Sequence, residues 1–555
     1  MRSDVRLVDN VPFARLARAD FRRLSATVDV NASGASLEKD LWQLMLLLFN
    51  DDIEDDITAG VPKDMHQKYH HRMRKDRLSR LWESMIRTKH AGNIAQIESP
   101  EERAIAYLCC HRVDDACKTL VESGNPHLAT LISQIGRDAI SRADMQAQVE
   151  SWRTHNIYSE MSEPIRALYE LTAGNCLRSD GKPSGFPEDR AMTFHLSERF
   201  SLDWLQAFGL RLWYGISDDD PLENAVSLFH HDLAHGEEPA FPIASTAEDA
   251  ELGRESPLWV VLKTYALAMN KEQQQLDIGS VTLPQAIMPG ASSGSLLNNR
   301  LAFQLFHHLV CSVKGEVKGL VIDQYRAHQL AWDYAWELAV GGQFIQSLFV
   351  VIHLDDAKER ERAIKTLLSH SSDLIPAPTQ ADGNPDQMWR VLVDELQIPS
   401  SWLWTFKAMY AHAGGDYAAE VDSLIHAKCW NEAHEIFAHI VAPKKVIESD
   451  YATLEALLAG FGDSPEKKIR GWANGGGVYE DFLHIATTKE GKRSQARLKR
   501  LVGALTTLGE RVDKSPQSSL EERVAFREIS RFIAGCCAKE IANVSRSICR
   551  ISFFS

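Results

Sequence analysis

Residues 99–135 read SPEERAIAYLCCHRVDDACKTLVESGNPHLATLISQI, and this stretch predicts three short helices in succession. Ser99 can cap the first helix, Pro100 fits its first turn, and Glu102 completes a capping box with Ser99. The run Gly124–Pro126 ends the second helix, because glycine readily adopts the left-handed conformation found after helix ends. Apolar residues spaced three and four apart mark the third helix. Short helices joined by tight breaks predict an all-α fold.

The same arrangement returns near the other end of the chain. Three further helices with Ala-rich inner stripes are predicted at residues 404–412, 417–427 and 430–441. A helical hairpin cannot bury its apolar face alone and must stack on neighbours. The spacing of the hairpins follows no fixed period, and 555 residues exceed the roughly 250 to 300 that one core supports. We therefore predict an elongated, irregular α-solenoid.

The first 35 residues differ from the rest. Two stretches, Val5–Val11 and Leu24–Val30, alternate apolar and polar residues, which is typical of strands. We expect a short β-type segment there, followed by helix from Ser36.

Composition excludes several classes of protein. Apolar residues make up 44% of the chain, and the longest dense apolar run, Leu41–Phe49, is far shorter than the ~20 residues that span a bilayer. The first residues predict no secretory signal, and nine irregularly spaced cysteines predict reduced thiols. The formal charge of −15 disfavours broad nucleic-acid binding. Two basic stretches, Lys68–Arg80 and Lys489–Arg500, favour solvated helix faces but leave a nucleic-acid or membrane-surface contact open.

Two motifs resemble catalytic sites only in part. His231 and His235 lie one helical turn apart with Asp232 between them, as in a zinc site, but no third ligand stands at a recognised spacing. The run Gly290–Gly294 matches a nucleophile elbow without the preceding strand that such an elbow needs. We predict no catalytic residue, metal, cofactor or small-molecule substrate.

A resemblance to a known family adds to these patterns. Phe200–Gly215 (FSLDWLQAFGLRLWYG) is followed by an acidic loop and Leu222–Val226 (LENAV), and Cys117–Ile135 and Met145–Trp152 precede it in order. Together these segments resemble the helical scaffold nucleoporins of the Y-shaped nuclear pore subcomplex. Members of that family are C-terminal products of an autocleaved precursor and have the ancestral coatomer fold. The resemblance is good over residues 36–375 and looser beyond them.

The resemblance implies a trunk, a crown and a tail. The implied divisions are residues 1–35 as a remnant of a propeller-completing blade, 36–110 and 261–375 as the two parts of the trunk, 111–260 as the crown, and 376–555 as the tail. The implied partners are a WD-repeat propeller shared with the COPII coat, a sister helical nucleoporin at the crown, and two short-arm nucleoporins at the tail. We assign partner contacts at the crown to Trp204, Leu205, Phe208 and Leu212, and in the N-terminal segment to Val5, Leu7, Val28 and Val30.

The resemblance also predicts location and function. It implies a structural subunit of the nuclear pore coat at the nuclear envelope that supports nucleocytoplasmic transport and mRNA export. Residues 1–35 are short for a three-stranded blade, so the blade is either truncated or partly retained. A COPII-type coat scaffold and a zinc-dependent hydrolase at His231 and His235 are the alternatives.

Overall fold

The computed structural model shows a helical protein divided into two compact units. It describes residues 3–16, 20–28, 35–50, 65–90, 92, 94–136, 139–182, 190–243, 254–270, 276–288, 299–313, 315–379, 383–488, 494–514 and 518–552. Predictions at Val30 and at Gly290–Gly294 lie outside these residues. Unit 1 comprises residues 1–4 and 15–337, and unit 2 comprises residues 5–14 and 338–555.

Unit 1 consists mainly of helices of 4 to 25 residues. The helices that begin in it are α1 (Phe21–Ala26), α2 (Ala35–Phe49), α3 (His66–His90), α4 (Pro100–Leu108), α5 (Val113–Glu122), α6 (Pro126–Ile132), α7 (Ala139–Thr154), α8 (Glu163–Thr172), α9 (Leu196–Arg199), α10 (Trp204–Leu210), α11 (Leu222–Ala234), α12 (Pro257–Met269), α13 (Arg300–Ser312) and α14 (Gln324–Val340).

Unit 2 continues with helices to the end of the described chain. They are α15 (Phe344–Val351), α16 (Ala357–His370), α17 (Gln387–Arg390), α18 (Ser400–Ala413), α19 (Tyr417–His426), α20 (Trp430–Ile436), α21 (Ala442–Ile447), α22 (Tyr451–Gly460), α23 (Gly476–Thr487), α24 (Gln495–Lys514) and α25 (Leu520–Ser552). One hydrophobic core joins buried residues from Ala408 to Cys536, with Phe437 packed edge-on against Phe461.

Strands are few and short among the described residues. They form three two-stranded sheets: β1 (Ser3–Val8) with β2 (Val11–Leu16), β3 (Arg178–Ser179) with β4 (Phe194–His195), and the parallel pair β5 (Val281–Leu283) with β6 (Leu320–Ile322). The predicted all-α class is confirmed, whereas an elongated solenoid with trunk, crown and tail stays a prediction.

The opening helix triplet was predicted correctly except for its capping box. Ser99 Oγ accepts a hydrogen bond from the Glu102 N–H at 3.4 Å and caps α4. The Glu102 carboxylate accepts from Arg199 at 3.0 Å rather than reaching back to Ser99. A remote arginine therefore replaces the local partner that the motif predicts.

The later triplet matches α18, α19 and α20. The third helix does not stay regular to Val441 as predicted, because Phe437–Val441 form a π-helical turn before α21. Similar turns lie at Arg211–Gly215 and Val391–Glu395. The C-terminal residues, which do not resemble a packed helix in sequence, continue the backbone of α25 to Ser552.

The N-terminal segment forms a hairpin that the sequence predicted only in part. Asp9 and Asn10 take φ values of 55° and 61°, which make a two-residue turn that breaks the predicted strand Val5–Val11 at Val8. The predicted strand Leu24–Val30 is wrong at its start, because residues up to Ala26 belong to α1. Asp20 caps that helix by accepting from the Arg23 N–H at 3.1 Å.

No helix among the described residues is long and apolar enough to cross a bilayer.

Candidate interaction sites

The segment that carries the crown prediction begins with a fully formed helix cap. The Asp203 carboxylate accepts from the Gln206 N–H at 3.0 Å, and Gln206 Oε1 accepts from the Asp203 N–H at 3.3 Å. Lys89 and His90, at the end of α3, lie 2.8 and 2.9 Å from the same carboxylate. Burial alone would raise the pKa of Asp203, but hydrogen bonds from Lys89, the Gln206 N–H and His90 outweigh it and lower that pKa. The cap is therefore held as a carboxylate, which ties α10 to α3.

An aromatic cluster fixes the inner face of α10. Trp82 packs edge-on against Trp204 and Phe208 with ring centroids 5.7 and 5.0 Å apart, and its indole N–H donates to the Leu205 carbonyl at 2.8 Å. Phe208 continues the cluster to Phe229 on α11, at 5.8 Å, and to Trp259 on α12, at 5.7 Å. Such contacts add about 0.5–1.5 kcal/mol per pair beyond area burial. Four helices therefore share one aromatic core.

The four residues assigned to crown contacts all lie in this interior. Trp204 and Leu205 are 7% and 9% exposed, and Phe208 and Leu212 are fully buried. In this conformation they present almost no surface to a partner and instead position the helices around them. Their assignment to partner binding stays a prediction.

A buried arginine with two carboxylates holds the far end of the segment. Arg211 donates to Asp232 Oδ2 from Nε at 2.9 Å and from Nη2 at 2.6 Å, and to Glu238 Oε2 at 2.7 Å. Its side chain is 2% exposed, that of Glu238 is 0% exposed, and its guanidinium lies 5.0 Å from the Phe229 ring centroid. Burial would lower the pKa of Arg211, but Glu238 and Asp232 raise it. The triad links the π-helical turn to the end of α11.

Sequence reasoning missed this triad. The available signal was a charged residue inside the apolar run FGLRLWYG, because a buried arginine is nearly always paired. The sequence could not name Asp232 and Glu238 as its partners, since many acidic residues follow.

Two basic side chains close the C-terminal end of the π-helical turn. Lys75 Nζ donates to the Ile216 and Ser217 carbonyls at 3.3 and 3.2 Å, and Arg142 donates to the Gly215 carbonyl at 2.6 Å. Cations suit this position because the last carbonyls of a helix lack partners and carry partial negative charge. Burial lowers the pKa of Lys75, although Asp218 opposes the shift.

A cleft of about 350 Å³ opens beside the cap of α10. Its apolar walls come from the residues before α4, from α4 itself and from the residues before α10: Ile94, Ile97, Ile105, Ala106, Phe200 and Leu202. Arg199 on its edge is paired with Glu102 at 3.0 Å and Glu163 at 2.6 Å. The cleft therefore offers an apolar recess with a neutralised edge, lined partly by the predicted trunk and partly by the predicted crown.

The predicted N-terminal contact residues are unevenly exposed. Leu7 on β1 is 53% exposed, while Val5 and Val28 are half-buried. The hairpin residues of unit 2 are anchored within that unit, where the Ala14 N–H donates to the Ile352 carbonyl at 2.8 Å and Arg360 lies 4.8 Å from the Phe13 ring. Leu7 is therefore the predicted residue that is best placed to contact a partner.

The histidine motif does not assemble a metal site. The rings of His231 and His235 are tilted by 41° with their centroids 4.1 Å apart, and His235 Nδ1 lies 2.8 Å from the His231 carbonyl oxygen. Asp232, which would have to act as the base, forms an ion pair with Arg211. Within the described ranges, no group of three or more histidine, cysteine or acidic side chains could hold a metal ion.

Comparison with known proteins gives a family match over much of the chain. The family model described as Nup96, nuclear protein 96, matches residues 102–410, more than half of the 555 residues. That range includes Phe200–Gly215, the Arg211 triad, most of the cleft lining and every member of the aromatic cluster except Trp82.

Individual relatives extend the similarity to most of the sequence. Nucleoporin nup189 of Schizosaccharomyces pombe is 25% identical over 545 residues, 95% of this chain and 28% of that protein. Nucleoporin NUP145 of Chaetomium thermophilum is 28% identical over 467 residues, 84% and 22% of the two chains. The nuclear pore complex protein Nup98-Nup96 of Drosophila melanogaster is 24% identical over 510 residues, 89% and 24% of the two chains. The chain thus spans 28% or less of the length of these relatives.

Proposed function

Because this chain belongs to the Nup96 family of nuclear pore proteins, we propose that it is a structural scaffold subunit of the nuclear pore complex coat at the nuclear envelope. It acts by holding other coat subunits in fixed relative positions and so supports nucleocytoplasmic transport and mRNA export. It performs no catalysis in this function.

One observation carries this proposal. The family match covers residues 102–410, and the described residues of this range form mainly short helices that are joined by buried or partly buried ion pairs. Arg211, Asp203 and Arg199 each pair with side chains of other elements. Polar residues used in this way support a rigid scaffold.

The proposed partners follow the divisions of the chain. A WD-repeat propeller shared with the COPII coat adds to the N-terminal hairpin, where Leu7 on β1 is exposed. A sister helical nucleoporin meets the crown, residues 111–260, and two short-arm nucleoporins meet the tail, residues 376–555. Exposed apolar side chains support contacts in both regions, with Met192 74% exposed in the crown and Leu520 73% exposed in the tail.

Reconstitution tests the proposal. The full chain is mixed with purified propeller, sister nucleoporin and short-arm nucleoporins from one organism, and each mixture is examined by size exclusion with light scattering. We expect a stoichiometric complex with each partner, because each partner is proposed to bind its own site on the scaffold. If the folded chain co-elutes with none of them, the proposal is wrong.

Matched surface variants separate the sites. Leu7→Glu should weaken propeller binding, whereas Val321→Glu, an equally exposed strand residue at 52%, should not. Met192→Glu should weaken binding of the sister nucleoporin, with Tyr325→Glu, 78% exposed and outside the crown, as its control. Equal losses within a pair would contradict the assigned site.

A further inference from the structure

The parallel strands β5 and β6 form a sheet of two strands, so among the described residues β6 pairs on one side only. The sheet lies in the second part of the predicted trunk, to which no coat partner is assigned. A strand at a sheet edge carries N–H and C=O groups that can pair with another extended chain. We propose that the β6 edge is a docking site for an extended peptide segment of a partner protein, which adds to the sheet as a third strand.

The hydrogen bonds of the ladder show which residues of β6 face outward. The first residue of β5 donates its N–H to the Gly319 carbonyl at 2.8 Å, and the Asp323 N–H donates to the carbonyl of the last residue of β5 at 2.8 Å. Main-chain groups of successive strand residues point to opposite sides, so every second residue from Gly319 to Asp323 bonds to β5. Leu320 and Ile322 lie between these residues and therefore direct their main-chain groups away from β5.

Three of these outward groups are available to a partner. The Leu320 N–H donates to the Val317 carbonyl at 3.2 Å, so it is used in the turn before β6. The Leu320 carbonyl and the N–H and carbonyl of Ile322 have no hydrogen bond to another described residue. A peptide strand beside β6 can bond to all three, and such main-chain bonds supply much of the affinity when a strand is added to a sheet.

One face of the sheet is covered at β5 but open at β6. Val281 and Leu283 of β5 are 2% and 0% exposed. Leu320 and Ile322 are their paired residues and share that face, yet Leu320 is only partly buried and Ile322 is 38% exposed. An apolar side chain on a third strand would pack beside Ile322 and continue the covered face.

The β6 strand lacks the residues that usually protect an edge. Lysine, proline and inward-pointing charges commonly block pairing at natural edges, but β6 reads Leu-Val-Ile. Val321 on its other face is 52% exposed, and Tyr325 at the start of α14 is 78% exposed. β6 is three residues long, which restricts the occupant to a short segment. An exposed apolar edge of this kind indicates a surface that pairs with a partner.

The occupant we propose has apolar residues at alternate positions and a net positive charge. The alternation places one set of side chains beside Ile322. The exposed charges just before β6, Glu316 and Lys318, cancel, so the formal charge of −15 on the whole chain determines which peptides are attracted. A second copy of the chain carries the same charge and is disfavoured as the occupant.

Binding of a designed peptide tests the proposal. The peptide acetyl-Lys-Val-Thr-Val-Thr-Val-Lys-amide is added to the full chain at up to about 1 mM, and amide hydrogen exchange of residues 317–325 is followed by mass spectrometry. We expect slower exchange in this segment, because the third strand accepts a hydrogen bond from the Ile322 N–H. The control peptide is N-methylated at every valine and threonine, cannot donate main-chain hydrogen bonds there, and should protect nothing.

Variants of β6 separate edge binding from binding elsewhere. Ile322→Lys should raise the Kd at least about tenfold, because it removes the apolar contact. Val321→Lys is the matched control, since it adds the same charge on the opposite face and should change the Kd less than about threefold. Ile322→Pro removes the outward N–H but no bond to β5, and should raise the Kd about three- to tenfold. Thermal melting must show that each variant is folded.

Three results would overturn the proposal: no slowing of exchange at residues 317–325, equal binding of the N-methylated peptide, or equal losses in Ile322→Lys and Val321→Lys. Dimers of the chain alone that are seen by light scattering and lost in Ile322→Lys would show that a second copy occupies the edge, which also contradicts a peptide partner. Because no coat partner is in the assay, the result does not depend on the scaffold function.

Discussion

At the residue scale, Arg211 is a buried charged side chain that connects two segments of unit 1. Its guanidinium is buried among apolar rings and satisfied by two carboxylates from a segment 21 to 27 residues later in the chain. Replacing a buried pair with apolar groups is often neutral, but removing one partner leaves an unpaired buried charge.

We expect Arg211→Met to lower the free energy of unfolding of unit 1 by about 3–5 kcal/mol, because Asp232 and Glu238 lose their counter-charge. Hydrogen exchange of the α10 and α11 amides measures this loss. Arg178→Met is the control: Arg178 pairs with Glu237 at 3.1 Å on a surface where both side chains are 38% exposed. Its loss should stay below about 1 kcal/mol. An Arg211→Met effect of the same size would contradict the role of the triad.

Two buried histidines give each unit a defined response to acid. Burial lowers the pKa of His308 in unit 1 and of His353 in unit 2 to about 4, although hydrogen bonds to the Gln304 and Phe349 carbonyls oppose the shift. The unfolded chain takes up these protons near pH 6.5, so the native state loses stability as pH falls from about 6.5 to about 4. The stability contributed by neutral burial is fully present above that window.

We predict a loss of about 3 kcal/mol per histidine across this window, from about 1.4 kcal/mol per pKa unit. His308→Phe should reduce the acid sensitivity of unit 1 only, and His353→Phe that of unit 2 only. Hydrogen exchange at pH 7 and pH 4.5 measures both. His235→Phe, at an exposed position, should change neither, and an unchanged pH profile in His308→Phe would contradict the assigned pKa.

At the element scale, close helix contact explains one glycine in the Trp204 segment. A Cβ added at Gly209 would lie 2.7 and 2.9 Å from two ring atoms of Trp213, one helical turn later. The ring is itself fixed, because its indole N–H donates to Ser79 Oγ at 2.8 Å. Gly503 in α24 has nothing within 4 Å of the same position.

Replacing each of these two glycines with alanine should change the free energy of unfolding in opposite directions. Gly209→Ala should destabilise unit 1 by about 1–3 kcal/mol, because the methyl group displaces the Trp213 ring. Gly503→Ala should stabilise α24 by up to about 1 kcal/mol through helix propensity. Thermal melting and hydrogen exchange measure both effects. A stabilising Gly209→Ala would mean that the ring moves aside at no cost.

At the scale of the whole molecule, the division into two compact units predicts two cooperative unfolding events. Phe437 lies fully buried in the unit 2 core, 5.6 Å from Phe461 and 6.2 Å from Tyr479. Phe437→Ala should lower the stability of unit 2 by about 3–5 kcal/mol. Arg211→Met should affect unit 1 alone. If either variant accelerates hydrogen exchange equally in both units, the chain unfolds as one block.

The sequence by itself determined the helical class and many helix ends. Ser99, Pro100 and the run Gly124–Pro126 act through their own backbone neighbours, so their effects can be read locally. The same was true of the family, because the order of segments around Phe200–Gly215 belongs to the sequence itself. The Asp9–Asn10 turn was not predicted, although both residues tolerate the left-handed conformation that it requires.

Only the tertiary structure decided what covers each helix face. Periodicity predicts that Leu205, Phe208 and Leu212 share a stripe, but not that Trp82, Phe229 and Trp259 bury it.

The sequence likewise did not determine the ion-pair partners of Arg211 or the unit to which the N-terminal hairpin belongs. The sequence shows that Arg211 interrupts an apolar run, yet its two carboxylates are chosen by packing. The grouping of Val5–Ala14 with residues after 337 likewise depends on contacts hundreds of positions apart. Local patterns fix backbone conformation, whereas burial depends on which remote element is brought alongside by the fold.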